Sequence, residues 1–287
     1  MEDSAQTASD FETKDLAIPF IRILQSNSPQ VNKRGDGYVE GCEPSHIFNT
    51  ALERSYDGET GIYAIVCKYQ RQYTEWKPRI DDGQGGGSGG GFVQSHGTDG
   101  EIMKDATQKT LPSGAKKMIL PNGNEIVESA DYFVIAFDPI DGSMQKAVIS
   151  MSSTQWKAAR KLNNQISGWS KPRPDGKGTF NPPPYGRVYL FSTVPQSNDK
   201  GDFFGWKVEP GDETMDLDGG SDLYLMARDF RRSIEGGYVK AAAPVVADPD
   251  EPGAHEPEDS DGDFDGGQEE PPPADDEVPA DDDIPFD

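Results

Sequence analysis

The residues of this sequence best suited to chemistry are cations interleaved with aromatic rings. Lys68, Tyr69, Arg71, Tyr73, Trp76, Lys77 and Arg79 fall within one short stretch. Arg187, Tyr189 and Phe191 repeat the mixture, and Trp169, Lys171 and Arg173 supply a third instance. Single-stranded nucleic acid is held by this combination: cations track the phosphates, and bases stack on flat rings for about 1–3 kcal/mol each. Lys157, Arg160 and Lys161 add a basic stripe on one side of a helical stretch. Against this stands the ordinary fate of such residues, rings in the core and cations in water. The stretch from Lys68 to Arg79 is the strongest of the set, because strand alternation puts Tyr69, Arg71 and Tyr73 on one face.

Asp138-Pro139-Ile140-Asp141-Gly142-Ser143 is the second candidate. It resembles the DP(I/L)DG(S/T) signature of the magnesium-dependent inositol monophosphatase and fructose bisphosphatase superfamily, in which the two aspartates hold hard cations. Such a site needs several oxygen ligands at once. The superfamily's upstream Glu-Glu pair is missing, Glu125 and Glu128 being the nearest acids, and no Trp-Asp motif follows. Turn chemistry selects Asp, Pro and Gly by itself, so the segment reads first as a hairpin loop. Cys42, His46, Cys67 and His96 match no regular zinc spacing. Asp261, Asp263, Asp265 and Gly266 start like a calcium loop, but its twelfth position is Pro272. The glycine-rich stretch 83–91 lacks the Gly-Lys-Ser/Thr of a phosphate loop, and three scattered histidines make no triad. The expectation is a non-enzymatic protein without cofactor or metal.

From Asp248 to Asp287 there are 18 Asp or Glu and no Lys or Arg. The whole chain carries a formal charge of −24, but the 27 cations before residue 241 face only 33 acids before residue 248. A segment so charged, rich in Pro and Gly and without apolar periodicity, cannot offset the entropy of ordering. The expected organisation is a disordered arm over 1–15, a body over 16–240 and a disordered acidic tail over 241–287. The tip, Asp281-Asp282-Asp283-Ile284-Pro285-Phe286, sets a short apolar hook behind a triple acid, stiffened by its proline.

That tip, DDDIPF, resembles the tip of bacterial single-stranded DNA-binding proteins. A folded body with such a tail also resembles the single-stranded DNA-binding proteins of T7-like phages. In the bacterial family the Phe is the last residue, whereas Asp287 follows here. The resemblance implies a sequence-independent single-stranded DNA-binding protein acting in DNA replication, recombination and repair. A polyanionic tail is expected to compete with DNA for the body's basic groove by mass action, and the resemblance implies that its tip recruits polymerase, primase-helicase or nuclease partners. The alternatives are the phosphatase, or an acidic-tailed adaptor or virion protein without nucleic-acid affinity.

These residues need elements to position them. Leu16 to Leu24 reads as an edge strand because Pro19 cannot donate to a ladder. Ser45 to Tyr56 has the spacing of a short helix, Ser45 as cap and Ile47, Phe48 and Leu52 inward. Ile62–Tyr73, Tyr132–Phe137, Gln145–Met151, Arg187–Val194 and Phe203–Val208 read as strands. One helix runs from Ser152 or Ser153 to about Ile166, with Trp156, Ala159, Leu162 and Ile166 inward. Another begins near Ser221, with Leu223, Met226, Phe230 and Ile234 inward, and stops at Gly236-Gly237. The expected fold is mainly β, an OB-fold-like antiparallel barrel with long insertions and those two helices, the barrel type leaning on the resemblance. Two cysteines suit a reducing cytosol, the acidic N-terminus is no signal peptide, and a cytoplasmic location is expected.

Overall fold

The computed structural model describes residues 18–79, 89–110, 116–198 and 201–239. The chain divides into two units, Met1–Glu256 and Pro257–Asp287, and every described residue belongs to the first. The predicted N-terminal arm, most of the glycine-rich stretch and the acidic tail with its tip at 281–286 lie outside the described residues.

In chain order the elements are β1 (Phe20–Ile23), β2 (Ile47–Asn49), β3 (Arg54–Tyr56), β4 (Ile62–Arg79), β5 (Gly89–Gly97), β6 (Thr107–Thr110), β7 (Lys116–Ile119), β8 (Glu125–Phe137) and β9 (Met144–Ser152). There follow α1 (Trp156–Ser167), β10 (Lys171–Pro172), β11 (Thr179–Phe180), β12 (Arg187–Asn198), β13 (Gly201–Glu213) and α2 (Gly220–Glu235). The main sheet runs β13-β12-β4-β8-β9-β1-β2-β3, with β5 paired to β4 and the β6–β7 hairpin attached to β8; β10 and β11 form a separate ribbon. β4 is long enough to pair along one edge first with β12 and then with β5, while its other edge holds β8.

The mainly-β class, the mid-chain helix and the C-terminal helix agree with expectation. The antiparallel barrel does not. β1 enters parallel to β9, which makes the sheet mixed and carries it outward through β2 and β3 instead of back to β13. At the other end, β13 meets side-chain amides where a closing strand would lie. Phe204 N–H donates to Gln25 Oε1 at 2.8 Å, and its carbonyl accepts from Gln25 Nε2 at 2.9 Å and Gln155 Nε2 at 3.2 Å. Trp206 N–H donates to Gln155 Oε1 at 2.9 Å. These bonds satisfy backbone groups that an open edge would leave to other chains.

Both faces of the sheet are covered. Ile62, Ala64, Val66, Tyr132, Val134, Ile149, Tyr189, Phe191 and Trp206 pack on one side with Ala159 and Leu162 of α1. Ile65, Cys67, Phe133, Ile135, Val148 and Val188 pack on the other with Leu223, Ala227, Phe230 and Ile234 of α2. The inward stripe of α1 is as expected. That of α2 holds at Leu223, Phe230 and Ile234 and differs at one position: Ala227 is buried, while Met226 is exposed.

Two local expectations are corrected. β1 is paired on both sides and is no edge strand; Pro19 sits just before it and contributes its carbonyl, accepting from Val148 N–H at 2.8 Å. The predicted helix from Ser45 is the β2–β3 hairpin. Ser45 has φ of 78°, outside the range of a cap, and Asn49 Oδ1 turns the chain by accepting from Ala51 and Leu52 N–H.

Candidate nucleic-acid interface

β4 carries the strongest sequence candidate, and a bulge sets its phase. Val66 pairs with Val134 but Lys68 with Phe133, so Cys67 is an extra residue without an opposite. Cys67 therefore joins the α2-side core, and the residues beyond it keep an alternation of their own. Lys68 turns to α2 and pairs with Glu235 at 2.9 Å. Tyr69, Arg71 and Tyr73 turn together to the α1 side, as predicted. There the Tyr69 and Tyr132 rings meet at 5.3 Å, and the Tyr132 hydroxyl donates to the Ala159 carbonyl of α1.

Arg71 is the centre of the arrangement. Its guanidinium lies 5.5 Å from the centroid of the Trp156 ring, within cation–π range. Its Nη1 pairs with Glu128 Oε1 of β8 at 2.7 Å, and the Tyr73 hydroxyl donates to the same oxygen at 3.2 Å. Contact with the Tyr69 hydroxyl and the charge of Glu128 push the already high guanidinium pKa further up. Trp156 opens α1, half-buried, and Lys157, Arg160 and Lys161 follow it on the exposed side. Residues three and four apart on a helix are neighbours, so Arg160 stands next to Trp156 and Lys161 next to Lys157. No carboxylate among the described residues pairs with these three cations. Two groups that lay far apart in sequence, Tyr69 with Arg71 and the basic stripe of α1, thus meet at Trp156.

Other predicted contacts are corrected by burial. Tyr73 and Trp76 are sealed, Trp76 donating its indole N–H to Thr74 Oγ1 and meeting the Phe92 ring edge-on. Tyr189 and Phe191 are core residues at 1% and 0% exposure, so the β12 repeat of cation and ring offers no stacking surface. Both faces of the sheet are covered, and alternation alone does not tell an exposed face from a second core. Trp169 is packed against Gly186 with the Arg187 guanidinium 4.5 Å above it, and Lys171 is held by Glu213. Lys77 and Arg173 are exposed, Arg173 with its Nε on the Thr179 carbonyl. The side chain of Arg79 lies outside the described residues. The sequence reading placed Trp156 in the core and gave Glu128 no part in this surface. Trp156 stands at the open end of an inward stripe, and Glu128 precedes the stretch whose alternation is clear.

The phosphatase-like motif forms the β8–β9 turn. Gly142 N–H donates to the Asp138 carbonyl with Gly142 at φ of 72°, the left-handed conformation this turn requires. One Arg54 nitrogen bridges both acids, at 2.9 Å from Asp138 and 3.0 Å from Asp141, and the Tyr56 hydroxyl donates to Asp138 at 2.8 Å. Burial works to raise the Asp138 pKa, but the Ile140 N–H, Tyr56 and Arg54 bring it below the usual range. Bonds from Ser143 and then Arg54 bring Asp141 to about 2. These carboxylates serve a turn. Cys42 and Cys67 are free and lie in separate clusters, and no metal-ligating group is assembled among the described residues. Burial pushes the Cys67 thiol up to about 12, which suits a packing role.

The body is a mainly-β protein on an open mixed sheet, with a cationic and aromatic patch where α1 meets β4. Its sequence over residues 1–240 matches the Pam3 phage gp34-like protein family, and the chain belongs to that phage family. No curated protein and no solved structure matches the chain. No helix among the described residues is long and apolar enough to cross a membrane.

Proposed function

We propose that the chain is a single-stranded DNA-binding protein of its phage, binding without sequence preference through the α1–β4 patch. In this reading Lys157, Arg160, Lys161 and Arg71 take successive phosphates, while Trp156 and Tyr69 supply ring faces. The acidic tail stands in for the nucleic acid when none is present. Once released, its tip recruits replication, recombination or repair enzymes. The observation that carries the reading is the Arg71–Trp156 contact beside three cations on one exposed helix face, none of them paired with a carboxylate among the described residues. Core helices need no such stripe for packing, and a phosphate backbone is a ligand that uses it.

The test is fluorescence anisotropy of labelled oligo(dT) with the full chain over a range of salt. Binding is expected at low salt, falling with a log–log slope of about −0.7 per phosphate contacted. Replacing Lys157, Arg160 and Lys161 together by alanine is expected to weaken it by about tenfold or more, roughly 1.4 kcal/mol, with the melting temperature unchanged. Intrinsic fluorescence gives a second readout. Of the four tryptophans, Trp76 and Trp206 are buried and Trp169 is covered by Arg187. Quenching on oligo(dT) addition should therefore come from Trp156 and vanish in Trp156→Phe. Absence of binding at the lowest salt would end the proposal.

A further inference from the structure

Glu128 places a negative charge inside the one patch read as binding a polyanion. Its carboxylate pairs with Arg71 at 2.7 Å, and the buried Tyr73 fixes it by donating its hydroxyl to the same oxygen. The two partners differ in freedom: the Arg71 side chain is 57% exposed and the Glu128 side chain 23%. Glu128 stands on β8 opposite Tyr73 of β4, one residue before the β9 ladder begins, and its carboxylate, held by the Tyr73 hydroxyl, is less free to follow a guanidinium that swings outward. Arg71 can turn to solvent or to a ligand, but only by leaving Glu128. While it stays, it lies across Trp156 and covers part of the ring a base would use.

We infer that Glu128 is a built-in stand-in for a phosphate, and that nucleic acid engages this patch by taking Arg71 from it and uncovering Trp156. This rests on the binding reading above and adds regulation to the same site. Its parts, Glu128, Arg71, Tyr73 and Trp156, all belong to the body, so the device needs no part of the tail. Two consequences follow. The bound strand gains one cation and one ring face together, which makes engagement cooperative within the patch. The free protein keeps Arg71 neutralised, which lowers its affinity for anions that are too short to repay the exchange.

The experiment is a double-mutant cycle in the full chain, read by oligo(dT) anisotropy at low salt. Glu128→Gln keeps an acceptor for Tyr73 and removes the charge. It is expected to tighten binding by about two- to fivefold, the worth of an exposed ion pair. Removing any negative charge favours a polyanion, so Glu209→Gln serves as control; Glu209 pairs with Lys207 on β13, outside the patch. Glu128→Gln should exceed that control, and the excess should disappear in an Arg71→Ala background. An excess that persists without Arg71, or Glu128→Gln matching the control with an unchanged melting temperature, would overturn the exchange while leaving the binding reading intact. If Glu128→Gln lowers the melting temperature, Glu128→Asp decides: its shorter side chain keeps the charge but loosens the Arg71 contact, and unchanged affinity there would again overturn it. A wild-type chain that does not bind oligo(dT) at all would overturn both.

Discussion

Two buried acids on opposite faces of β4 and β8 show how differently one sheet treats a carboxylate. Glu75 accepts from Asn124 at 2.5 Å, Asn122 at 2.8 Å, and Gln94 and His96 at 2.9 Å each. The Asn124, Gln94 and Asn122 bonds outweigh burial and bring its pKa from 4.5 to about 2. Asp131 is buried and, among the described residues, accepts from the Ser129 and Ser150 hydroxyls, both on Oδ1, and burial raises its pKa above 3.8. The signs are opposite. Glu75 contributes stability that is present above pH 4.5 and lost as pH falls towards 2. Asp131 contributes stability that is full below pH 3.8 and lost as pH rises through its raised value. Glu75→Gln is therefore expected to lower the melting temperature at neutral pH, by about 1–3 kcal/mol of stability, because an amide faces amide donors. Asp131→Asn is expected to raise it at neutral pH, the serine hydroxyls rotating to serve the new amide, with the gain vanishing in acid. Thermal melts at two pH values check both, and shifts of the same sign would refute the account.

At the scale of elements, the sheet ends in side chains where a barrel would end in a strand. Gln25 and Gln155 bond the edge of β13 that faces away from β12, Gln25 at Phe204 and Gln155 at Phe204 and Trp206. Gln155→Ala leaves the buried Trp206 N–H without its acceptor, at a cost of about 1–3 kcal/mol, and hydrogen exchange at that amide should speed up before the rest of β13 follows. Such closure is invisible in the sequence, because it joins residues far apart in the chain and uses side chains with no periodic signal. What was legible was local. β8, β9, β12, β13 and α1 announce themselves through alternation or helical spacing, and the loop from Asp138 to Ser143 through its turn residues. The β2–β3 hairpin was hidden because Ile47, Phe48 and Leu52 fit helical spacing as well. The parallel entry of β1 and the extra Cys67 depend on neighbours that only the fold supplies. The site divides in the same way. Lys157, Arg160, Lys161, Tyr69 and Arg71 could be read from types and spacing. Trp76, Tyr189 and Phe191 could not be told from core, since on a sheet covered on both sides each face of a strand is an inside.

At the scale of the whole molecule the question is charge. The chain carries 18 acids after residue 247 and all of its Lys and Arg before residue 241, an asymmetry on which the proposed function draws. In the proposed reading, a polyanion joined to the body would compete for the patch at an effective concentration set by its tether, of order millimolar for a flexible link. The competition is electrostatic, so it weakens as salt shortens the reach of each charge to about 8 Å at physiological ionic strength. Deleting residues 248–287 is expected to tighten oligo(dT) binding by about tenfold at low salt, with the gain shrinking as salt rises. A tail of the same composition in scrambled order should compete as well as the native one, because charge and not the Ile284-Pro285-Phe286 hook does this work. The hook has a separate signature: Phe286→Ala should leave oligo(dT) affinity alone while abolishing capture of the phage's replication enzymes. If Glu128 and the tail compete independently, as proposed, the effects of Glu128→Gln and the deletion should multiply. An affinity that does not change on deletion would show that the acids after residue 247 never reach the patch, and would leave Glu128 as its one internal competitor.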